Sequence, residues 1–152
     1  MTKKYRIYMD VCCFNRPFDD WSQLRIRLEA EAILTIINYF QTEEWLLIGS
    51  IALDSEIEQT PDLEKKQQVK DLLTLAKTKI SLTEVIQKRT KTLVKLGFKS
   101  FDALHLAYAE SGIVDVFLTT DDRLLNKATL NQAILKVPVK NPISWLMEQS
   151  ND

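Results

Sequence analysis

The sequence predicts an α/β fold in which a mostly parallel central sheet is flanked by helices. Three observations carry that prediction. Short apolar runs and helix-period segments alternate along the chain, the order that strand–helix–strand units require. The three glycines, Gly49, Gly97 and Gly112, each fall where an element should end. Four acidic residues, distant in sequence, each stand at such an end or on the helix that follows. Open parallel sheets place their sites there, outside the carboxyl ends of the strands.

The elements follow in order. Residues 5–9, Tyr-Arg-Ile-Tyr-Met, read as a strand that Asp10 closes. Residues 21–41 read as a helix, with Leu24, Leu28, Ala32, Ile36 and Tyr39 spaced by three or four. Residues 45–48, Trp-Leu-Leu-Ile, form a buried strand ended by Gly49, and Ser50 caps a helix to about residue 59. Thr60-Pro61 opens another helix, to about residue 77, with Pro where its missing N–H does no harm. Residues 79–82 are a short strand or a turn. A helix over 83–96 ends at Gly97, and a second over 100–111 carries Phe101, Leu104 and Tyr108 on one side. Residues 114–119 are a strand, 121–127 a short helix and 134–137 the last strand. Asn141-Pro142 starts a final helix with Ile143, Trp145 and Leu146.

At 152 residues, 45% hydrophobic and 27% charged, the chain is expected to form one soluble domain spanning 1–152. No apolar run is long enough to cross a bilayer, and the start does not read as a secretion signal, so a cytoplasmic location without membrane attachment is expected. Cys12 and Cys13 are adjacent and have no third cysteine to pair with. Two cysteines and one histidine, His105, are too few for a structural zinc site. Scattered glycines rule out a phosphate-cradling loop or a dinucleotide fingerprint. His105 belongs to no nucleophile motif and reads as a locally packed helix residue, or as a support one turn beyond Asp102.

Charge is segregated although the net is only −1. Residues 43–64 hold seven acids and no Lys or Arg, whereas residues 65–99 hold ten bases against Asp71 and Glu84. Most of these lysines read as solvated helix faces. A basic flank beside an acidic pocket would also suit a nucleic-acid backbone.

What remains is carboxylate chemistry. Asp10, Glu56, Asp102 and Asp121 have no histidine cluster around them, and an oxygen-rich set suits a hard divalent cation, Mg²⁺ or Mn²⁺. Such an ion lowers the pKa of a bound water and neutralises charge developing on a phosphorus oxygen. Read singly, each acid has an ordinary explanation: Asp102 and Asp121 favour helix N-termini, Asp10 a turn, Glu56 an acidic surface. Read together at successive strand ends, they point to a metal site.

At these residues the sequence resembles the PIN-domain family. The matching pieces are Ile-Tyr-Met-Asp10; Ile48-Gly49-Ser50 with Glu56 six residues after the serine; Ser100-Phe101-Asp102-Ala103-Leu104-His105-Leu106-Ala107-Tyr108-Ala109; and Phe117-Leu118-Thr119-Thr120-Asp121. The likeness spans roughly residues 5–146. It implies a PIN-like three-layer fold and a Mg²⁺- or Mn²⁺-dependent ribonuclease that hydrolyses RNA phosphodiesters, like the VapC-type toxins of toxin–antitoxin pairs. Asp10, Glu56, Asp102 and Asp121 would form the catalytic and metal-binding quartet, with Asp10 and Asp102 as direct ligands and Thr119 supporting them through its hydroxyl. A homodimer is implied, as is an antitoxin protein that covers the acidic pocket and inserts an arginine.

The chain departs from the family pattern at Cys12, where a small hydroxyl or amide residue is usual. The fourth acid is Asp121 by Thr119-x-Asp, or Asp122 by Thr120-x-Asp; Leu124 favours Asp121. Arg16 is placed either to contact a phosphate near the site or to pair with Asp19 or Asp20. A second functional reading is a non-catalytic PIN-fold module that binds RNA or protein. A receiver-like phosphoacceptor is disfavoured, because the strand at 45–48 ends in Gly-Ser rather than Asp.

Overall fold

The computed structural model of the chain describes residues 3–149; positions 1–2 and 150–152 of the expected 1–152 domain lie outside the described residues. The strands are β1 (Arg6–Met9), β2 (Leu46–Ser50), β3 (Thr78–Ile80), β4 (Val116–Leu118) and β5 (Val139–Lys140). The helices are α1 (Val11–Asn15), α2 (Leu24–Gln41), α3 (Ile51–Glu58), α4 (Leu63–Leu73), α5 (Glu84–Lys95), α6 (Ser100–Ser111), α7 (Asp122–Leu130) and α8 (Pro142–Gln149), with a single 3-10 turn at Arg16–Phe18. The sheet order is β3-β2-β1-β4-β5 and every strand pair is parallel, a three-layer α/β arrangement.

That order sets where a site belongs. The chain runs from β1 outward to β2 and β3, then returns to place β4 on the other side of β1. The order reverses between β1 and β4, and crevices open at the carboxyl ends of such strand pairs. Tyr8 pairs with Phe117 and Met9 with Leu118, and the Asp10 amide donates to the Leu118 carbonyl at 2.9 Å. Asp10 and Thr119 are thereby set side by side. The opposite end of the sheet is closed by aromatic rings. Trp45 contacts Tyr5, Tyr39 and Trp145 at centroid distances of 5.8, 4.1 and 5.0 Å.

Several boundaries differ from expectation. The segment after Asp10 turns at once into α1, and Asp10 caps it by accepting from the Val11 amide. β2 runs through Gly49 to Ser50 rather than stopping at residue 48. α4 is capped by Asp62, not Thr60, because the Asp62 carboxylate accepts from both Glu64 and Lys65 amides. It ends at Leu73, and residues 78–80 form β3. The last strand is Val139–Lys140, not 134–137. Side chains claim the backbone of that earlier run: Arg89 donates to the Ile134 carbonyl at 2.9 Å and Glu110 accepts from the Lys136 amide at 2.9 Å. With those groups taken, no strand ladder can form there.

The buried face of α2 is also rotated from the expected one. Of the expected residues Ala32 and Ile36 are buried, but Leu24 and Leu28 are exposed, and Ala30, Ile33, Ile37 and Phe40 enter the core together with Glu29. Phe101 is 54% exposed rather than packed. Gly97 has φ +107°, the left-handed position that closes α5 and favours glycine. At Gly112 a Cβ would stand 2.5 Å from Ile80 Cδ1, so a larger residue there would displace the tip of the Ile80 side chain.

The charge segregation seen in the sequence is largely cancelled in space. Lys66 and Lys70 pair with Glu58, Lys77 with Glu43, Lys79 with Asp54 and Lys65 with Asp19. Lys88, Lys91, Lys95 and Lys99 have no ion pair among the described residues.

Candidate metal centre

Three strand ends and the helices that follow them supply the polar residues. Asp10 closes β1 and is only 8% exposed. Its Oδ1 accepts from the Val11 amide at 2.8 Å and its Oδ2 from the Thr119 hydroxyl at 3.0 Å. Thr119, fully buried just after β4, also accepts from the Asp121 amide at 3.1 Å. One hydroxyl therefore ties the first acid to the backbone of the fourth.

Ser50, at the end of β2, caps α3 by accepting from the Leu53 amide at 3.1 Å. α3 carries Glu56, half-buried, to within reach of Asp10. His105 on α6 completes the group: ligand atoms of Asp10, Glu56 and His105 all lie within 4.8 Å of one another. His105 Nε2 is 3.0 Å from Glu56 Oε1, and His105 Nδ1 is 2.6 Å from the Tyr8 hydroxyl.

Asp102 and Asp121 join this cluster electrostatically. The Asp102 carboxyl is pushed up to about 6, first by burial and then by the negative charges of Asp10 and Asp121, with His105 and Lys99 opposing. Burial raises the Asp10 carboxyl as well, with Glu56 adding to the effect and His105 opposing it. Asp121 caps α7 by accepting from the Arg123 amide at 2.9 Å. Asp122 turns elsewhere: Arg25 grips it with two bonds of 2.7 and 2.8 Å, which hold its carboxyl below the usual range.

Cys12 sits inside the cluster. Its sulfur is 3.6 Å from Asp10 Oδ2, 3.4 Å from Thr119 Oγ1, and accepts from the Thr120 amide at 3.3 Å. The thiol thus fills the space a hydroxyl residue would take, with weaker hydrogen bonds. Cys12 and Cys13 are both free. Arg16 is drawn away from the carboxylates, pairing with Asp19 at 3.2 Å and lying 2.9 Å from Glu29 Oε1.

The partner of His105 and the burial of Glu29 were not expected. His105, read as locally packed or as a support one turn beyond Asp102, is 1% exposed and bonded to Glu56. The spacing Asp102-x-x-His105 places both on one helix face, and Tyr8 shares a strand face with Asp10, so a signal was present. Glu29 is a fully buried acid within the apolar stripe of α2, and that misplacement was its signal.

The donor set fits a divalent cation. Asp10 and Glu56 bring carboxylate oxygens together beside the His105 ring, and no Lys or Arg pairs with Asp10, Asp102 or Asp121 among the described residues. Burial is the main cause of the upward shifts of Asp10 and Asp102, and repulsion from neighbouring carboxylates adds to it.

No protein-family model and no curated protein matches the chain. Solved structures do. FitAcB from Neisseria gonorrhoeae aligns with a TM-score of 0.60 at 15% identity, covering 90% of this chain and 97% of that one. PAE2754 from Pyrobaculum aerophilum aligns at 0.55 and 14% identity, covering 97% and 91%. At such low identity the likeness shows the architecture alone, and it agrees with the expectation carried by the strand-end acids: this chain has a PIN-like three-layer fold.

Proposed function

We propose that this protein is a Mg²⁺- or Mn²⁺-dependent endoribonuclease, the toxin half of a toxin–antitoxin pair. The observation that carries the reading is the negative charge gathered at the β1–β4 crevice: buried Asp10 without a Lys or Arg partner among the described residues, and Asp102 raised to about 6 by burial and by its acidic neighbours. Asp10, Glu56, Asp102 and Asp121 would hold the cation. Bound there, it would supply charge neutralisation at phosphorus and a more acidic water.

The chain's own residues do the rest. Thr119 fixes Asp10 relative to Asp121, and the α3 cap at Ser50 sets the height of Glu56. Asp122, engaged by Arg25, stands outside the quartet in this reading. The RNA backbone would run along the unpaired bases of α5 and beyond, since the charge of Lys99 is already felt at Asp102. Exposed Phe101, one residue before Asp102, offers a face on which an unstacked base can lie. The toxin role, a homodimer, an antitoxin covering the pocket and a cytoplasmic place of action belong to the same proposal, supported by the resemblance to VapC-type toxins. No helix among the described residues is long and apolar enough to cross a membrane.

The test is cleavage of a structured RNA with single-stranded loops in Mn²⁺, in EDTA, and by the Asp102→Asn variant. Cleavage is expected in Mn²⁺ only, with a loss of at least about 100-fold in the variant. Cleavage that survives EDTA or the substitution would sink the metal-nuclease mechanism. No cleavage together with no bound metal would favour the non-catalytic interaction module.

A further inference from the structure

Behind the carboxylates, one hydrogen-bonded chain crosses the interior. The Leu53 amide donates to Ser50 Oγ at 3.1 Å. Ser50 Oγ lies 2.7 Å from the Tyr8 hydroxyl, which lies 2.6 Å from His105 Nδ1. His105 Nε2 lies 3.0 Å from Glu56 Oε1. Tyr8, Ser50 and His105 are all buried, so water cannot substitute for a missing partner at little cost.

Counting protons gives this chain one direction. The Glu56 carboxylate only accepts, so Nε2 must carry hydrogen. In a neutral imidazole Nδ1 then accepts; Tyr8 donates to it, Ser50 donates to Tyr8, and a second Ser50 lone pair takes the Leu53 amide. Every proton has an acceptor. The reverse direction sends Nδ1–H to Tyr8 and the Tyr8 proton to Ser50. It leaves the Ser50 proton with no acceptor among the described hydrogen bonds. In a neutral ring it also turns the Nε2 lone pair toward a carboxylate. A doubly protonated ring strands the same Ser50 proton. Burial pushes the Tyr8 hydroxyl well up, which keeps it a donor.

We propose that His105 is the positioning residue of this site: a neutral, Nε2-protonated imidazole, locked by Tyr8 and Ser50, that clamps the Glu56 carboxylate beside Asp10 to receive a divalent cation. This rests on reading the carboxylates as a cation site. It differs from a role for His105 as ligand, which would need Nε2 bare and Nδ1–H donated to an acceptor. The clamp links β1, β2, α3 and α6, so the geometry of the acids is set by the fold rather than by the metal.

Because His105 is the only histidine, its ring nitrogens give the whole imidazole ¹⁵N spectrum of the full chain. The metal-free protein is expected to show hydrogen on Nε2 and a bare Nδ1, unchanged when diamagnetic Mg²⁺ is added. Hydrogen on Nδ1, or loss of the Nε2 hydrogen on adding Mg²⁺, would overturn the proposal. Tyr8→Phe keeps the ring and removes the link. It is expected to mix the tautomers and weaken Mn²⁺ binding, measured by calorimetry with the metal alone, by roughly 10-fold. His105→Gln, whose amide can still donate to Glu56, should stay within about threefold of the native affinity, while His105→Ala loses about 10- to 100-fold. Equal losses in the two folded variants would remove N–H donation as the role. If a variant fails to fold, the native spectrum still decides. The nuclease reading fails separately: the expected tautomer with no RNA cleavage sinks that reading alone, and active cleavage with the wrong tautomer sinks this one alone.

Discussion

Glu29 and Asp10 are both buried acids, and they are surrounded in opposite ways. Glu29, fully buried on α2, meets Arg16 at 2.9 Å, Arg25 at 3.2 Å and the Asn141 amide at 2.7 Å. The Arg16 contact pairs charges without the angle of a hydrogen bond. Asp10 meets an amide, a hydroxyl and a thiol, and no cationic side chain among the described residues. Glu29 joins α2 to the Arg16–Phe18 turn and to the start of α8, and it brings its counter-charges with it. Asp10 keeps its charge without one, as a group does when its partner comes from outside.

The largest effect that would sharpen this contrast is on stability. Glu29→Gln removes the anion between two guanidiniums and should cost about 3 kcal/mol, the low end for a broken buried pair because Arg25 reaches solvent. For a chain of this size that is a fall of roughly 6–12 °C in Tm. Asp10→Asn keeps the α1 cap and relieves repulsion, so the metal-free protein should melt no lower than the native one. Equal falls in the two variants, by calorimetric melting, would erase the distinction.

Next comes the cation. Mn²⁺ at a hundredfold excess over its dissociation constant should stabilise the native chain by about 2.7 kcal/mol. It should do nothing for Asp10→Asn. A matching gain in the variant would place the metal elsewhere.

A smaller effect depends on pH. The Asp102 carboxyl titrates near 6 in the folded chain against an ordinary 3.8. Between those values the folded state holds a proton that the unfolded state has lost. Metal-free stability therefore falls as pH rises through this window, and the penalty is complete above about 6. Asp102 is only half-buried, so solvent screening limits the effect to about 1 kcal/mol or less. Asp102→Asn should flatten the slope, seen as a Tm advantage that grows from pH 4 to pH 7. A variant that tracks the native profile would remove Asp102 from the charged cluster.

The smallest effect separates neighbours. Asp122→Asn breaks an exposed pair with Arg25, which keeps its bond to Glu29; Tm should barely move, with RNA cleavage unchanged. Asp121→Asn should lower cleavage while leaving Tm nearly intact. If Asp122→Asn is the variant that loses cleavage, the fourth acid has been assigned to the wrong neighbour.

Much of this was legible in one dimension, and the gaps have physical causes. Strand identity survived because Ile7, Leu47, Ile48 and Phe117 lie in short apolar runs bounded by polar ends. The Ser50 cap was legible because capping is local. The apolar run at 134–137 misled, because Arg89 and Glu110, distant in sequence, claim its backbone. Glu29 and the Tyr8–His105–Glu56 contacts were hidden for the same reason: each depends on partners tens of residues away.

The alternation of strands and helices over most of the chain, the placing of acids at their ends, and the exclusion of glycine-loop chemistry were determined by sequence alone, since local pattern and composition decide them. Tertiary structure decided which charges are neutralised. It paired Glu29, Glu58 and Asp122 with bases and, among the described residues, left Asp10, Asp102 and Asp121 without one. It also brought a histidine to Glu56. Compensation of a buried charge is a matter of a few ångströms in space, and spacing along the chain does not record it.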